Sequence, residues 1–396
     1  MDNGSRNLTS NAVSFSLLPS ELIEDIFLRL ALPEIFRLKC VSKTLTSVIY
    51  GNDFRTEFNL RSSSDTWLFV YKKRSPRDSV LYGFTFRSNR WFKIPIAEFL
   101  FPIVPPGEDL YFLTASGGFF LFASNNCREL IVVNLTLNTV KKIPPSPLGP
   151  RGTSSWRRSG LKLIAGPPDS DKFQFLFAEL YENRPVLFEY SSETDTWKSY
   201  EAKEDGGHDP RGSYLKGKVF LSVVHRRNDS ILLAVEPNDH DSPPLVLRPR
   251  FNGAAIEEQE RLAIGFSRGN AAISRLHVYG DSCMVIVRSE GERVRMFSCI
   301  EVWGLCKDGR GWEFISKVPN ELVDKVRKPY GVMMGCLEER EGIVRVVLVT
   351  NNEGVWNLIW LCYDLGSREW SWVPLPEFRM KGLNMAGITL SSGLTF

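Results

Sequence analysis

Between residues 17 and 50, in LLPSELIEDIFLRLALPEIFRLKCVSKTLTSVIY, apolar side chains recur at helical spacing. The pattern predicts three short helices. In the first, Leu22, Ile23, Ile26, Phe27 and Leu30 fall on both sides of the helix, so no single packing surface hides them all. Pro19 and Pro33 stand where first helical positions are expected, because proline has the right φ and needs no amide partner there. Ser42 is suited to cap a third segment, and Gly51 to end it in the left-handed conformation. A unit of roughly 40 residues is below the size that usually folds alone, and its surplus apolar surface calls for a partner. After Gly51 the helical period disappears. Short alternating runs of Val, Phe, Tyr and Leu take over, separated by Gly, Pro, Asn, Asp and Ser, the mark of strands joined by tight turns.

The helical stretch resembles the F-box motif. The resemblance rests on Leu18, Pro19, Leu22, Ile23, Ile26, Leu30, Pro33, Leu38, Val41, Ser42, Lys43 and Ile49. Many members of that family carry an aromatic residue, often Trp, where this chain has Leu45. The resemblance implies docking on a Skp-type adaptor, and through it on a cullin–RING ubiquitin ligase, by those twelve residues.

The long remainder repeats. Four segments share a strand, a polar turn, a Trp and a short strand: LYGFTFRSNRWFKIP, VLFEYSSETDTWKSY, IEVWGLCKDGRGWEFI and LCYDLGSREWSWVPLP, around Trp91, Trp197, Trp312 and Trp370. Their spacing fits a period of roughly 50–58 residues. LIVVNLTLNTVKKIPP has the same shape, with Val140 in the Trp place, and SILLAVEPNDHDSPPLVL supplies a weaker member. Six repeats result. With about four strands in each, the fold class is mainly β: a three-helix unit followed by a six-bladed propeller of kelch type. The repeats, with the pair Gly117 and Gly118, resemble plant F-box proteins carrying kelch or F-box-associated propeller repeats. The division predicted is a disordered tail over 1–15, an F-box over 16–51, a linker over 52–66 with a polar hinge at SSSD, and a propeller over 67–396. Unpaired edges favour ring closure, with WLFVYKK at 67–73 and GITLSSGLTF at 387–396 as the seam. The repeated Trp residues are expected to pack between blades.

Composition narrows the function. The 396 residues are 43% hydrophobic and 24% charged with net charge +3, so no global field draws nucleic acid or an anionic membrane. The seven cysteines are scattered without a C-x-x-C pair, which suggests neither a disulfide framework nor a zinc site. No apolar run long enough to span a membrane is present, and MDNGSRNLTSNAVSF lacks the core of a signal peptide. Cytoplasm or nucleus is the expected setting.

Catalytic signatures are missing. His208, His225, His240 and His277 stand far apart, and no phosphate loop or nucleophile elbow occurs. No cofactor, metal or enzymatic role is expected. What remains is binding by propeller loops: of a target protein for ubiquitination, with an F-box scaffold or transcriptional cofactor acting without degradation, or a small-molecule-sensing propeller, as the alternatives. The richest loop, PRGTSSWRRSGLK, places Arg151, Trp156, Arg157 and Arg158 together, residue types enriched at interface hot spots. These four are the candidate target-binding residues. Arg226, Arg227, Arg268, Arg327 and Lys328 add further basic loops.

Overall fold

A computed structural model describes residues 18–73, 80–94, 96–157, 159–167, 170–204, 215, 217–223, 231–237, 242–251, 277–279, 285–290, 299–326, 332–352, 355–376, 380–381 and 384–396. Four helices come first: α1 (Ser20–Phe27), α2 (Leu32–Lys39), α3 (Lys43–Ile49) and α4 (Asn52–Ser63). Ser42 caps α3 as its sequence position implies, its Oγ accepting the Thr44 N–H at 3.2 Å. Gly51 does not take the left-handed form. It is extended at φ −61° and ψ 132° and leads directly into α4, so residues 52–63, expected to be a linker, are a helix.

Six sheets follow among the described residues. The first holds β1 (Thr66–Lys73), β2 (Val80–Thr85) and β3 (Arg90–Ile94), and is followed by α5 (Ile96–Leu100). The second holds β4 (Leu110–Ser116), β5 (Phe119–Ser124), β6 (Leu130–Asn134) and β7 (Thr139–Ile143). After α6 (Thr153–Trp156) come β8 (Gly160–Ala165), β9 (Phe173–Tyr181), β10 (Arg184–Ser191) and β11 (Thr196–Glu201). The fourth sheet holds β12 (Lys203–Glu204), β13 (Val219–Val223), β14 (Ile231–Val235) and β15 (Leu245–Leu247). The fifth has β16 (Arg250–Phe251), β17 (His277–Tyr279), β18 (Val285–Glu290), β19 (Cys299–Leu305) and β20 (Gly311–Lys317), and α7 (Asn320–Val326) follows. The sixth has β21 (Val332–Arg340), β22 (Ile343–Asn352), β23 (Val355–Asp364), β24 (Glu369–Val373) and the short β25 (Met380–Lys381). Finally β26 (Asn384–Ser392) returns to pair antiparallel with β1. That seam joins the two segments singled out from the sequence and closes the propeller.

The blades are not six equal repeats. Five have four antiparallel strands, the first of them drawing β26 from the far end of the chain, whereas the fourth has three and is completed by β12, which runs parallel to β15. Prolines 237, 243 and 244 flank that region. Proline has no amide to give a ladder, which accounts for a β15 of only three residues. Five full blades and one reduced blade therefore replace the expected six.

Alternation explains how the ring holds together. Successive side chains of a strand face opposite ways, and here both ways are interior. In β1, Trp67, Phe69 and Tyr71 enter one cluster while Leu68 and Val70 enter another. In β5, Phe120 and Phe122 join the first of these, and Phe119, Leu121 and Ala123 a third. Likewise β9 divides Phe173, Phe175 and Phe177 from Leu176 and Ala178. Each pair of neighbouring blades thus shares an apolar core, and burying one such side chain contributes about 1.5–3 kcal/mol.

The outer strands are fastened by the repeated tryptophans. Trp91 Nε1 donates to the carbonyl of Pro376 at 3.3 Å, Trp197 Nε1 to that of Pro144 at 3.0 Å, and Trp370 Nε1 to Ser316 Oγ at 2.9 Å. Each bond reaches the preceding blade. Trp312 is buried in one cluster with Leu215 and with Phe220, Leu232 and Leu247 of the fourth sheet. Two residues before Trp91, Val140, Trp197 and Trp370 lie Asn89, Asn138, Asp195 and Arg368, all left-handed, so the polar turn has one geometry in four blades. At the seam, Gly387 has φ +132°, and a Cβ there would lie 2.1 Å from the Phe112 carbonyl oxygen.

One loop is held by a buried acid. Glu108 accepts the amide N–H groups of Asn125 and Asn126 at 2.7 Å each and of Cys127 at 3.2 Å. Burial opposes its ionisation, but these bonds together with that from the Cys127 thiol outweigh it and hold the carboxyl below its usual range. A depressed folded pKa gives stability that is present above the unfolded value and is lost as pH falls through the folded one. Glu108→Gln is therefore expected to cost about 1–3 kcal/mol near neutrality. Its melting deficit against wild type should narrow on acidification toward about pH 3.

Candidate functional site

The helix α1 has two apolar faces, as its pattern requires. Ile23 and Phe27 point inward and are 4% and 1% exposed, whereas Leu22 and Ile26 are 52% and 40% exposed on the other side. Pro19, also exposed, precedes Leu22 by three residues and so shares the outward side. Pro19 is the N-cap of α1 and Pro33 sits in the first turn of α2. There the Ala31 N–H donates to the Glu34 carboxylate at 2.8 Å. Val41 is 69% exposed at the turn between α2 and α3, with Lys43 exposed beside it. Leu18, Leu30 and Leu38 are partly buried against the core, and Pro33 and Ser42 are half-buried.

The twelve residues read together from the sequence therefore divide. Pro19, Leu22, Ile26, Val41 and Lys43 form available surface. Ile23 and Ile49, at 4% and 0% exposure, do not. They face Phe27, Leu32, Ile35 and Leu45 in a cluster that continues into Trp67, Phe69, Phe112 and Phe120 of the first two blades. The inner apolar face of the helices thus shares one core with the propeller, while Leu22, Ile26 and Val41 stay outside it.

The junction is stiff. Arg340 donates to the carbonyl oxygens of Ser63 and Ser64 at 2.8 and 2.6 Å and to Thr66 Oγ1 at 2.6 Å. Arg87 donates to the Leu28 carbonyl at 2.6 Å, and Arg90 pairs with Glu34. Asp65 accepts the Thr85 hydroxyl at 2.6 Å. The expected hinge at SSSD is thereby corrected: its backbone carbonyls are anchored to the sixth blade. Phe396 is 5% exposed and sits against Phe36, Phe54 and Phe58. Sequence reasoning missed Phe54, Phe58, Asn59 and Phe396. The i, i+4 pair of phenylalanines in DFRTEFNLRSS was the available signal.

In the arginine-rich loop, Arg151 and Trp156 turn inward. Trp156 is 2% exposed in α6 and its Nε1 donates to the Arg151 carbonyl at 3.1 Å. The Arg151 guanidinium lies 4.6 Å from the Trp156 ring and 5.2 Å from Phe177, donates to Ser155 Oγ and Ser159 Oγ, and pairs with Glu179. Both residues thus pack on β9 of the third blade, and Glu179 with the two serine hydroxyls supplies the partners that a buried cation needs. Arg157 stacks on Tyr111 at 4.6 Å. Burial pushes the Tyr111 hydroxyl up, with Arg157 opposing. Arg158, Arg226, Arg227, Arg268, Arg327 and Lys328 lie outside the described residues, as do His208, His225 and His240. Among the described residues no cluster of three metal-ligating side chains occurs, and no helix is long and apolar enough to cross a membrane.

The stretch that carries this two-faced helix also matches a known domain family. Residues 15–57 match the F-box domain. The match runs past Gly51 to residue 57, so the first half of α4, with Phe54, lies within it and the second half, with Phe58 and Asn59, beyond it. F-box domains generally bind Skp-type adaptors; within the matched residues of this chain Leu22, Ile26, Val41 and Tyr50 are exposed apolar side chains. No curated protein matches the chain. Among solved structures, TolB from Acinetobacter baumannii is similar at 11% identity and TM-score 0.35, over 87% of this chain and 73% of that one. The β-propeller domain of the Trilobed protease from Pyrococcus furiosus is similar at 13% identity and TM-score 0.35, over 78% and 79%. A nidogen/laminin complex is similar at 8% identity and TM-score 0.38, over 82% and 98%.

Proposed function

We propose that this chain is the substrate-recognition subunit of an SCF-type ubiquitin ligase. Its F-box docks on a Skp-type adaptor, which links it to a cullin–RING assembly, and its propeller holds a target protein. The observation that carries the reading is an F-box match whose first helix leaves Pro19, Leu22 and Ile26 outside an otherwise buried core. The repeats are of kelch or F-box-associated type, and the chain works in the cytoplasm or nucleus. It makes and breaks no bond itself. It keeps a target lysine near a ubiquitin-charged enzyme, turning a bimolecular encounter into one at high effective concentration. The bonds from Arg340, Arg87 and Arg90 support this role, since a stiff arm does not dilute that concentration.

The test is target turnover. Proteins captured by the propeller should lengthen their half-lives several-fold when this chain is acutely depleted. Captured partners with unchanged half-lives, on a chain that still holds the adaptor, would make it a scaffold and not a degradation receptor.

A further inference from the structure

We propose that residues 391–396 are a clasp that makes the F-box form only on a closed propeller; the consequence for adaptor binding rests on the function proposed above. The helical unit lacks a wall of its own. The space between α2 and α4 is filled by Phe396, whose ring centroid lies 6.2 Å from those of Phe36 and Phe54 and 5.1 Å from that of Phe58. Lys39 and Arg55 place their cationic groups 5.2 and 5.1 Å from the same ring.

The backbone is tied as firmly as the ring. The Phe396 N–H donates to Asn59 Oδ1 at 2.7 Å, and that Asn59 side chain is itself buried. Leu394 is buried in the shared cluster. The Thr395 carbonyl accepts the Thr136 hydroxyl at 3.0 Å, which ties the same segment to the second blade. Gly393 presses on α4, where a Cβ would lie 1.6 Å from the Ser62 carbonyl oxygen.

Topology sets the order. These six residues follow or end β26, the strand that closes the first blade against β1. They reach the helices only when that strand is seated, and contacts between residues more than 300 positions apart carry the loop-closure cost of the whole chain. Four helices of this size do not supply a sufficient core alone. The docking face of α1 is therefore ordered only on a chain whose ring is complete, so unfinished or opened chains do not engage the adaptor.

Hydrogen exchange on the full-length protein tests this, comparing wild type, Phe396→Ala and Phe396→Leu. In Phe396→Ala, amides of α1 to α4 should exchange at least about tenfold faster, while those of β9 and β10, far from the clasp, keep wild-type rates. Phe396→Leu should fall between. Affinity for a purified Skp-type adaptor should drop in the same order. Unchanged exchange in α1 to α4 of Phe396→Ala would overturn the clasp. If that variant does not fold, Phe396→Leu decides: faster exchange confined to the helices supports the clasp, and a uniform rise in both regions overturns it. A wild-type chain that fails to bind the adaptor would sink the functional reading, while the exchange data still decide the clasp.

Discussion

Leu22→Asp combined with Ile26→Asp is expected to weaken binding to a Skp-type adaptor by at least about 100-fold while leaving the melting temperature of the chain unchanged. Both side chains are about half exposed and neither belongs to the buried cluster, so charging them removes little that holds the fold. In a complex the same positions would be desolvated, and an unpaired carboxylate buried against an apolar partner is costly. The neighbouring residue behaves oppositely. Ile23→Ala opens a cavity beneath the same helix and should lower stability by about 2–5 kcal/mol. Binding titrations and thermal melts on the two variants, side by side, separate an outward docking face from an inward packing face. Loss of binding with Ile23→Ala at full stability, or a collapse of the melting temperature with the aspartate pair, would reverse the assignment of the two faces.

Phe58→Ala is expected to destabilise the protein by about 3–5 kcal/mol, and to do so for the first blades as well as for the helices. The ring is 1% exposed and touches Phe54 and Phe396 within a cluster that runs on to Trp67, Phe69 and Phe122. A core shared by two parts of a chain melts as one. Calorimetry should show the transition that includes the helices shifting together with the signal of the first blade. A separate low-temperature transition for the helices alone would mean that the F-box and the propeller are independent units.

Local chemistry explains which parts of this structure could be read from the sequence. The two-faced pattern of Leu22, Ile23, Ile26 and Phe27 is complete within one helix. The alternating runs at 67–73 and 387–396 likewise announce strands buried on both sides, and they meet as the seam. The Trp repeats stood out as a local motif, and at Trp91, Trp197 and Trp370 it carries a left-handed turn residue and an Nε1 bond to the preceding blade. What failed was decided at a distance. Arg151 and Trp156 look like an exposed hot spot in a list of neighbours along the chain, yet Glu179 and Phe177, supplied by β9, bury them. Residues 52–63 look polar and hinge-like until Phe396 and the Arg340 guanidinium arrive from the far end of the ring. SILLAVEPNDHDSPPLVL could be read as the weaker repeat, but the parallel β12 that completes the fourth blade depends on pairing with β15.

The most direct test of the account is the mass of the complex formed when the full-length chain is mixed with a purified Skp-type adaptor, measured by light scattering on gel filtration. The account predicts a 1:1 complex for the wild type, absent with Leu22→Asp/Ile26→Asp. A well-folded wild-type chain that elutes alone, at its own mass, would contradict it.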